Sequence, residues 1–119
     1  MNILLVDDNS KIRSYVKKLL IRKLKNLENI YECADGKTAI DLYQSSHPDW
    51  VVMDIMLPEM DGLEATRLIL EKDPKAKIII LTQYNDVVYR EAAKNIGAFD
   101  FLSKENLDIV LQVIEFQRN

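Results

Sequence analysis

Short apolar segments alternate with longer amphipathic segments along the whole chain. Runs typical of buried strands occupy residues 2–6, 30–34, 49–54, 77–82 and 99–102. In the segments between them apolar residues recur at helical spacing, as Ile12, Val16 and Leu20 do in the first. This spacing predicts helices at residues 10–24, 35–44, 62–72 and 86–96, and a last helix that starts near Glu105. Gly97 is placed to end the fourth helix in a left-handed conformation.

A strict alternation of apolar strands and helices is typical of a parallel sheet covered by helices on both faces. Right-handed crossovers leave few topologies for such a chain. We therefore expect a doubly wound α/β fold of the flavodoxin-like type, a (βα)5 arrangement with strand order 2-1-3-4-5. No repeat, linker or low-complexity tract interrupts the 119 residues. We expect one domain over residues 1–119 and no second domain in this chain.

The polar residues that stand out follow the carboxyl ends of the predicted strands. Asp7 and Asp8 come after the first strand, Asp54 ends the third, Thr82 ends the fourth, and Lys104 lies just past the fifth. In an open parallel sheet these ends share one edge, and ligands bind there, where the strand order reverses. With the expected order, this point falls between the first and third strands, so the three aspartates should converge.

Three carboxylates in one place repel one another and raise each other's pKa. A hard divalent cation such as Mg²⁺, which takes oxygen ligands, relieves this repulsion, and so does the ammonium group of Lys104. A cation, this lysine and the hydroxyl of Thr82 around the carboxylate of Asp54 form a site suited to phosphoryl transfer. Asp54 would be the attacking nucleophile.

Taken together, these residues resemble the response regulator receiver domain, the phospho-accepting module of two-component signalling. The resemblance covers the whole chain and is carried by Asp7, Asp8, Asp54 with the loop LPEMDG at 57–62, Thr82, Phe101 and Lys104. It implies that a sensor histidine kinase phosphorylates Asp54 and that this protein works in the cytoplasm. It also implies a signalling switch rather than an enzyme, apart from the chain's own phosphorylation and slow dephosphorylation.

The resemblance further implies a metal site. Asp8, Asp54 and the backbone carbonyl of Met56 would bind Mg²⁺ or Mn²⁺, with Asp7 acting through water. The cation is the expected cofactor of phosphorylation.

The phosphoryl group and the switch involve a second set of residues in the same resemblance. Thr82, Lys104 and the backbone N–H of Gln83 would bind the phosphoryl oxygens. Thr82 would move toward the phosphoryl group and Phe101 would fill the space it leaves. The surface of the fourth helix, fifth strand and fifth helix would then change, as a shift between two states.

Two positions depart from the usual pattern of the family. Glu105 follows Lys104 where many receivers have proline. Such a change is common in receivers joined to a helix-turn-helix DNA-binding domain, so it favours a transcriptional output. Gln83 stands where a small residue is usual. With Met56 and Tyr84, its side chain is expected to crowd the path of an attacking water and to slow loss of the phosphoryl group.

The first and last helices carry patterns that suggest partners. The first is basic, with Lys11, Arg13, Lys17, Lys18, Arg22, Lys23 and Lys25 in or just after it. This is either a solvated face or a docking surface for an acidic partner, such as the kinase. The last helix has one apolar stripe to pack on the sheet, formed by Leu107, Val110, Leu111 and Ile114. A second stripe, Ile109, Val113 and Phe116, is expected to form a dimer interface or to contact a following domain, unless nearby aromatic side chains cover it.

Composition narrows the remaining possibilities. The net charge of −3 gives no sign of direct nucleic-acid binding by this domain, and the apolar runs are too short to cross a membrane. The single cysteine, Cys33, excludes an intrachain disulfide and suits a reducing cytoplasm.

Other functions stay open at this point. One expectation is a receiver that is followed by a C-terminal output domain and forms a homodimer when phosphorylated. The alternative is a stand-alone regulator that acts by protein contact. An aspartyl-phosphate hydrolase of the dehalogenase type usually has Asp-x-Asp after its first strand, whereas Asp7 and Asp8 are adjacent. A flavodoxin-like flavin carrier needs a hydroxyl- and glycine-rich loop there, and these carboxylates would repel the flavin phosphate.

Overall fold

The computed structural model describes residues 1–83 and 86–117, without the side chain of Gln117. Tyr84, which was expected to crowd the site, lies outside the described residues. The strands are β1 (Asn2–Val6), β2 (Asn29–Cys33), β3 (Trp50–Met53), β4 (Ile78–Thr82) and β5 (Asp100–Ser103); the helices are α1 (Ser10–Lys23), α2 (Gly36–Ser46), α3 (Gly62–Lys72), α4 (Val87–Ile96) and α5 (Leu107–Gln117). No helix in the described part of the chain is long and apolar enough to cross a membrane.

All five strands pair in parallel in one sheet, in the order β2-β1-β3-β4-β5. This confirms the doubly wound fold and the strand order expected from the sequence. The order reverses at β1, where Leu4 lies between Tyr31 of β2 and Val51 of β3. The carboxyl ends of β1 and β3 therefore lie side by side.

Most element bounds agree with the sequence pattern to within one or two residues. β1 and α3 have the predicted bounds, but β5 is shifted by one residue and α5 begins at Leu107 instead of near Glu105. Between β5 and α5 the chain makes a tight turn. The N–H of Asn106 donates to the carbonyl of Ser103 at 3.0 Å, and the N–H of Glu105 donates to the hydroxyl of Ser103 at 3.1 Å. These bonds keep the intervening residues out of the helix.

The sheet separates two apolar clusters. One contains Leu4 and Val6 of β1 and packs against α2, α3 and α4, whereas the other contains Ile3 and Leu5 and packs against α1 and α5. Alternate residues of β1 enter different clusters because successive side chains of a strand point to opposite faces. Both faces of the sheet are therefore covered by helices.

The helices differ in how firmly they are anchored. α3 buries Gly62, Ala65, Thr66 and Ile69, whereas α4 buries only Ala93. Four helices begin at residues whose side chains accept hydrogen bonds from first-turn N–H groups: Asn9, Asp35, Asp61 and Asp86. Gly97 ends α4 with φ 96°, which confirms the left-handed helix end predicted for it.

Candidate functional site

The carboxylates of Asp7, Asp8 and Asp54 meet where the strand order reverses. One oxygen of each residue lies within 4.8 Å of the others. Asp7 and Asp54 are 7% and 6% exposed, while Asp8 faces solvent. Backbone hydrogen bonds fix the two buried residues: the N–H of Asp7 donates to the carbonyl of Cys33 at 3.2 Å, and that of Asp54 donates to Val6 at 2.9 Å. The sheet therefore places two poorly hydrated carboxylates side by side.

Lys104 reaches this acidic cluster from the loop after β5. Its Nζ atom lies 2.8 Å from Oδ2 of Asp7 and 3.3 Å from Oδ2 of Asp54. Its backbone N–H donates to the carbonyl of Thr82 at 2.9 Å, which ties the loop to the end of β4. The amine thus contacts both buried carboxylates at once.

Burial and charge act together on the titrating groups of the site. Burial raises the pKa of the Asp54 carboxyl; the charge of Lys104 opposes this effect and that of Asp7 adds to it. Burial alone would lower the pKa of the Lys104 amine, but its bonds to Asp7 and Asp54 outweigh this and raise that pKa. The site therefore combines a carboxylate whose charged form is disfavoured by burial with an amine held in its protonated form.

The loop after Asp54 is tied closely to the backbone of Asp54 itself. At Gly62, the first residue of α3, a Cβ atom would overlap the backbone oxygen of Asp54. The N–H of Gly62 donates to the carbonyl of Ile55 at 2.8 Å, and the side chain of Asp61 accepts from the N–H of Glu64 at 2.9 Å. This close approach requires glycine at position 62. Within the same loop, the side chain of Met56 is 47% exposed.

Thr82 and Phe101 lie on neighbouring strands. Thr82 is fully buried at the end of β4, opposite Ser103 of β5. Phe101 is 6% exposed and belongs to the apolar cluster that includes Ala93 of α4. The guanidinium carbon of Arg90 lies 5.0 Å from the centre of the Phe101 ring. Gln83, directly after Thr82, is exposed.

The basic face that the sequence predicts on α1 is partly neutralised, because two of its residues pair with an acidic residue of β2. Nη1 of Arg13 donates to the backbone carbonyl of Asp7 at 2.6 Å, and Nε donates to Glu32 of β2 at 3.2 Å. Lys17 pairs with the other carboxylate oxygen of Glu32 at 3.0 Å. The helical pattern gave no signal for this, because only the fold brings Glu32 beside α1. The other basic residues of this region are exposed: Lys11, Lys18, Arg22, Lys23 and Lys25.

The two apolar stripes of α5 have different surroundings. Val110, Leu111 and Ile114 are buried, and Leu107 packs partly against the same cluster. In the second stripe Ile109 is 39% and Phe116 78% exposed, whereas Val113 packs partly against the core. The second stripe is therefore most open at its two ends.

The doubly wound parallel sheet is of the flavodoxin-like α/β type. An acidic cluster and a lysine form a polar site at its carboxyl edge, where the strand order reverses. The family model of the response regulator receiver domain matches residues 3–115. The chain belongs to this receiver family, the signalling modules of two-component systems.

Relatives of different lengths match the chain. The chemotaxis protein CheY of Listeria monocytogenes is 36% identical over 116 residues, which are 97% of this chain and 96% of CheY. The transcriptional regulatory protein DegU of Brevibacillus brevis is 29% identical over 116 residues, and this chain spans about half of its length, 49%. A crystal structure of a LuxR-family two-component response regulator from Aurantimonas has a TM-score of 0.89 and 35% identity, covering 96% of this chain and 81% of that one.

Proposed function

We propose that this chain is a phospho-accepting receiver and that a sensor histidine kinase phosphorylates Asp54. The observation that carries the proposal is the position of the buried Asp54 carboxylate, 3.3 Å from the amine of Lys104 and beside two further aspartates. A poorly hydrated carboxylate with an ammonium and a group of cation ligands around it meets the needs of a nucleophile that attacks phosphorus.

A divalent cation, Mg²⁺ or Mn²⁺, fits the donors of the site, because these ions prefer oxygen ligands. Asp8, Asp54 and the backbone carbonyl of Met56 would hold it. Both oxygens of Asp7 already have partners, since one accepts from the N–H of Asn9 at 2.9 Å and the other pairs with Lys104 at 2.8 Å. Asp7 is therefore suited to act through water. The bound cation would neutralise charge on the phosphoryl oxygens.

In the proposed transfer, a carboxylate oxygen of Asp54 attacks the phosphorus of a phosphohistidine on the kinase. The new oxygen–phosphorus bond forms as the phosphorus–nitrogen bond breaks, and the histidine nitrogen leaves with that bond's electron pair. Lys104 exchanges its contact with Asp54 for one phosphoryl oxygen. The hydroxyl of Thr82 and the backbone N–H of Gln83 bind others.

The proposed output is a change in the surface formed by α4, β5 and α5. Movement of Thr82 toward the phosphoryl group would leave space beside β4, into which the already buried Phe101 would repack. This surface would control a DNA-binding output domain, as the match to half of a transcriptional regulatory protein suggests. The phosphorylated protein would act as a homodimer. The match to 96% of CheY supports the alternative, a stand-alone regulator acting by protein contact. In either case the receiver would work in the cytoplasm without binding nucleic acid or membrane itself.

Incubation with Mg²⁺ and acetyl phosphate, followed by measurement of the intact mass, tests the proposal. We expect the wild-type protein to gain one phosphoryl group and Asp54→Asn to gain none. Asp41→Asn, at an exposed position of α2, is the control and should react like the wild type. A wild-type protein that stays unmodified, or an Asp54→Asn variant modified to the same extent, would refute the proposal.

The exposed side chain of Gln83 is proposed to slow dephosphorylation by obstructing the attacking water. Gln83→Ala should lose the phosphoryl group faster by a factor of roughly two to five, equivalent to less than about 1 kcal/mol of activation free energy. The decay of the phosphorylated mass with time measures this rate. Gln112→Ala, at an exposed position of α5, is the matched control. Equal decay in both variants would rule out a role for this side chain.

A further inference from the structure

Arg13 is the only arginine of α1 drawn inward in the described structure, and it links three parts of the fold. Its side chain is 19% exposed. From α1 it donates to the carbonyl of Asp7 at the end of β1 and to the carboxylate of Glu32 on β2. Together with Asp7 and Asp54 it also lines a small cavity of about 10 Å³. The guanidinium therefore lies close to two of the three aspartates of the site.

A role in docking a partner does not account for this arrangement. Two of the guanidinium nitrogens already have partners within the chain, and the exposed basic residues of α1 lie elsewhere on the helix. Glu32 in turn is held by a second cation. Burial alone would raise the pKa of the Glu32 carboxyl, but the bonds and charges of Lys17 and Arg13 lower it. Glu32 is thus kept ionised as an anchor for Arg13.

The contact with the Asp7 carbonyl has a geometric consequence. That carbonyl and the N–H of Asp8 belong to one planar peptide unit, so fixing the oxygen fixes the plane through which Asp8 is attached. Asp8 is exposed, whereas Asp7 is buried and bonded to Asn9 and Lys104. Of the three aspartates, Asp8 is therefore the one whose direction depends most on the backbone that carries it.

We propose that Arg13, anchored by Glu32, is a positioning residue that orients the Asp7–Asp8 peptide and so aims the Asp8 carboxylate at the divalent cation. This inference rests on the proposed function of the site. The planar fork of arginine suits it, because two nitrogens bond to two oxygens in fixed directions, which the single amine of a lysine cannot reproduce. Partners that orient metal ligands in this way typically contribute 10- to 100-fold to metal affinity.

The test measures Mg²⁺ dissociation constants by titration calorimetry for the unphosphorylated wild type and for Arg13→Met, Arg13→Lys and Lys17→Met. Lys17→Met is the matched control, because it removes an ion pair with Glu32 but no contact with Asp7. We expect Arg13→Met to bind Mg²⁺ about 10-fold more weakly and Arg13→Lys to recover only part of this loss. Lys17→Met should stay within about twofold of the wild type.

Urea unfolding of the same proteins without divalent cations separates positioning from a purely structural role. A structural role lowers the stability of Arg13→Met and leaves the Mg²⁺ affinity of the folded protein unchanged, and this result overturns the inference. If Arg13→Met does not fold, Arg13→Lys decides: affinity equal to that of the wild type also overturns it. A wild-type protein that neither binds Mg²⁺ nor accepts a phosphoryl group refutes the proposed function instead.

Discussion

At the scale of single residues, Asp54 lies in surroundings that disfavour its charged form. Its side chain is almost fully buried, and burial raises the pKa of its carboxyl even with Lys104 nearby. A carboxyl whose pKa is raised by folding destabilises the folded state when it is ionised. This loss develops as the pH rises from the unfolded-state pKa through the folded-state pKa. The carboxylate proposed as the phosphoryl acceptor is therefore a source of instability.

Asp54→Asn should accordingly be more stable than the wild type at neutral pH without divalent cations, by about 1 kcal/mol. The difference should shrink in acid, because the wild-type carboxyl is then protonated in both the folded and unfolded states. Urea unfolding in the presence of a chelator at neutral and acidic pH measures it. Asp41→Asn should change stability by less than about 0.5 kcal/mol. An Asp54→Asn variant less stable than wild type at neutral pH would contradict the reasoning.

The buried hydroxyl group of Thr66 is a second source of instability. It is fully buried on α3, and within the described part of the chain its hydroxyl oxygen has no hydrogen-bond partner. Thr66→Val keeps the shape and removes the unsatisfied group, so it should stabilise the protein by about 1 kcal/mol. Thr38→Val is the opposite case, because the hydroxyl of Thr38 donates to Asp35 at 2.9 Å and its loss should destabilise. Urea midpoints that move in the same direction for both variants would refute this distinction.

At the scale of elements, the pattern of the sequence predicted the order of strands and helices and the edge at which the polar residues lie. Asp7, Asp54 and Lys104 could be assigned to that edge because parallel strands present their carboxyl ends together. The predicted start of α5 near Glu105 is wrong by two residues, since the turn at Ser103 depends on hydrogen bonds that helical spacing does not reveal. Helical spacing does not predict the inward direction of Arg13 either, because that direction depends on Glu32 of a different element.

The junction of β3 and α3 depends on the glycine at position 62. Gly62→Ala should destabilise the protein by about 2 kcal/mol, because the new methyl group displaces the backbone of Asp54, and it should weaken Mg²⁺ binding as well. Gly97→Ala is the control: its positive φ also makes alanine unfavourable, by about 1 kcal/mol, but it lies at the far end of α4. Urea unfolding measures the stability of both variants, and titration calorimetry measures their Mg²⁺ affinity. Unchanged Mg²⁺ affinity in Gly62→Ala would contradict this prediction.

At the scale of the whole molecule, the sheet divides the protein into two sides with different exposed surfaces. On one side, α5 exposes Ile109 and Phe116; on the other, α4 exposes Val87 and Val88, each 73%. Exposed apolar side chains of this kind are candidates for contacts between molecules. The sequence identified the α5 residues by their spacing, but it did not show that Val113 is partly covered by the core.

If α5 forms the proposed dimer, Ile109→Glu combined with Phe116→Glu should weaken self-association of the phosphorylated protein at least about 10-fold, since two apolar contacts are lost. Both positions are exposed, so the fold should be unaffected. Size-exclusion chromatography with light scattering after treatment with acetyl phosphate measures association. Val87→Glu combined with Val88→Glu is the control on α4. Normal pairing of the α5 variant, with loss of pairing in the α4 variant, would move the interface to α4.

The weak anchoring of α4 has a consequence for how a signal would leave the site. Because α4 buries only one alanine, little apolar surface becomes exposed to water when this helix shifts. A small displacement of α4 therefore costs far less free energy than the same displacement of α3. Movement at the end of β4 would thus displace α4 more readily than α3, while the strand that ends next to Asp54 keeps its pairing in the sheet.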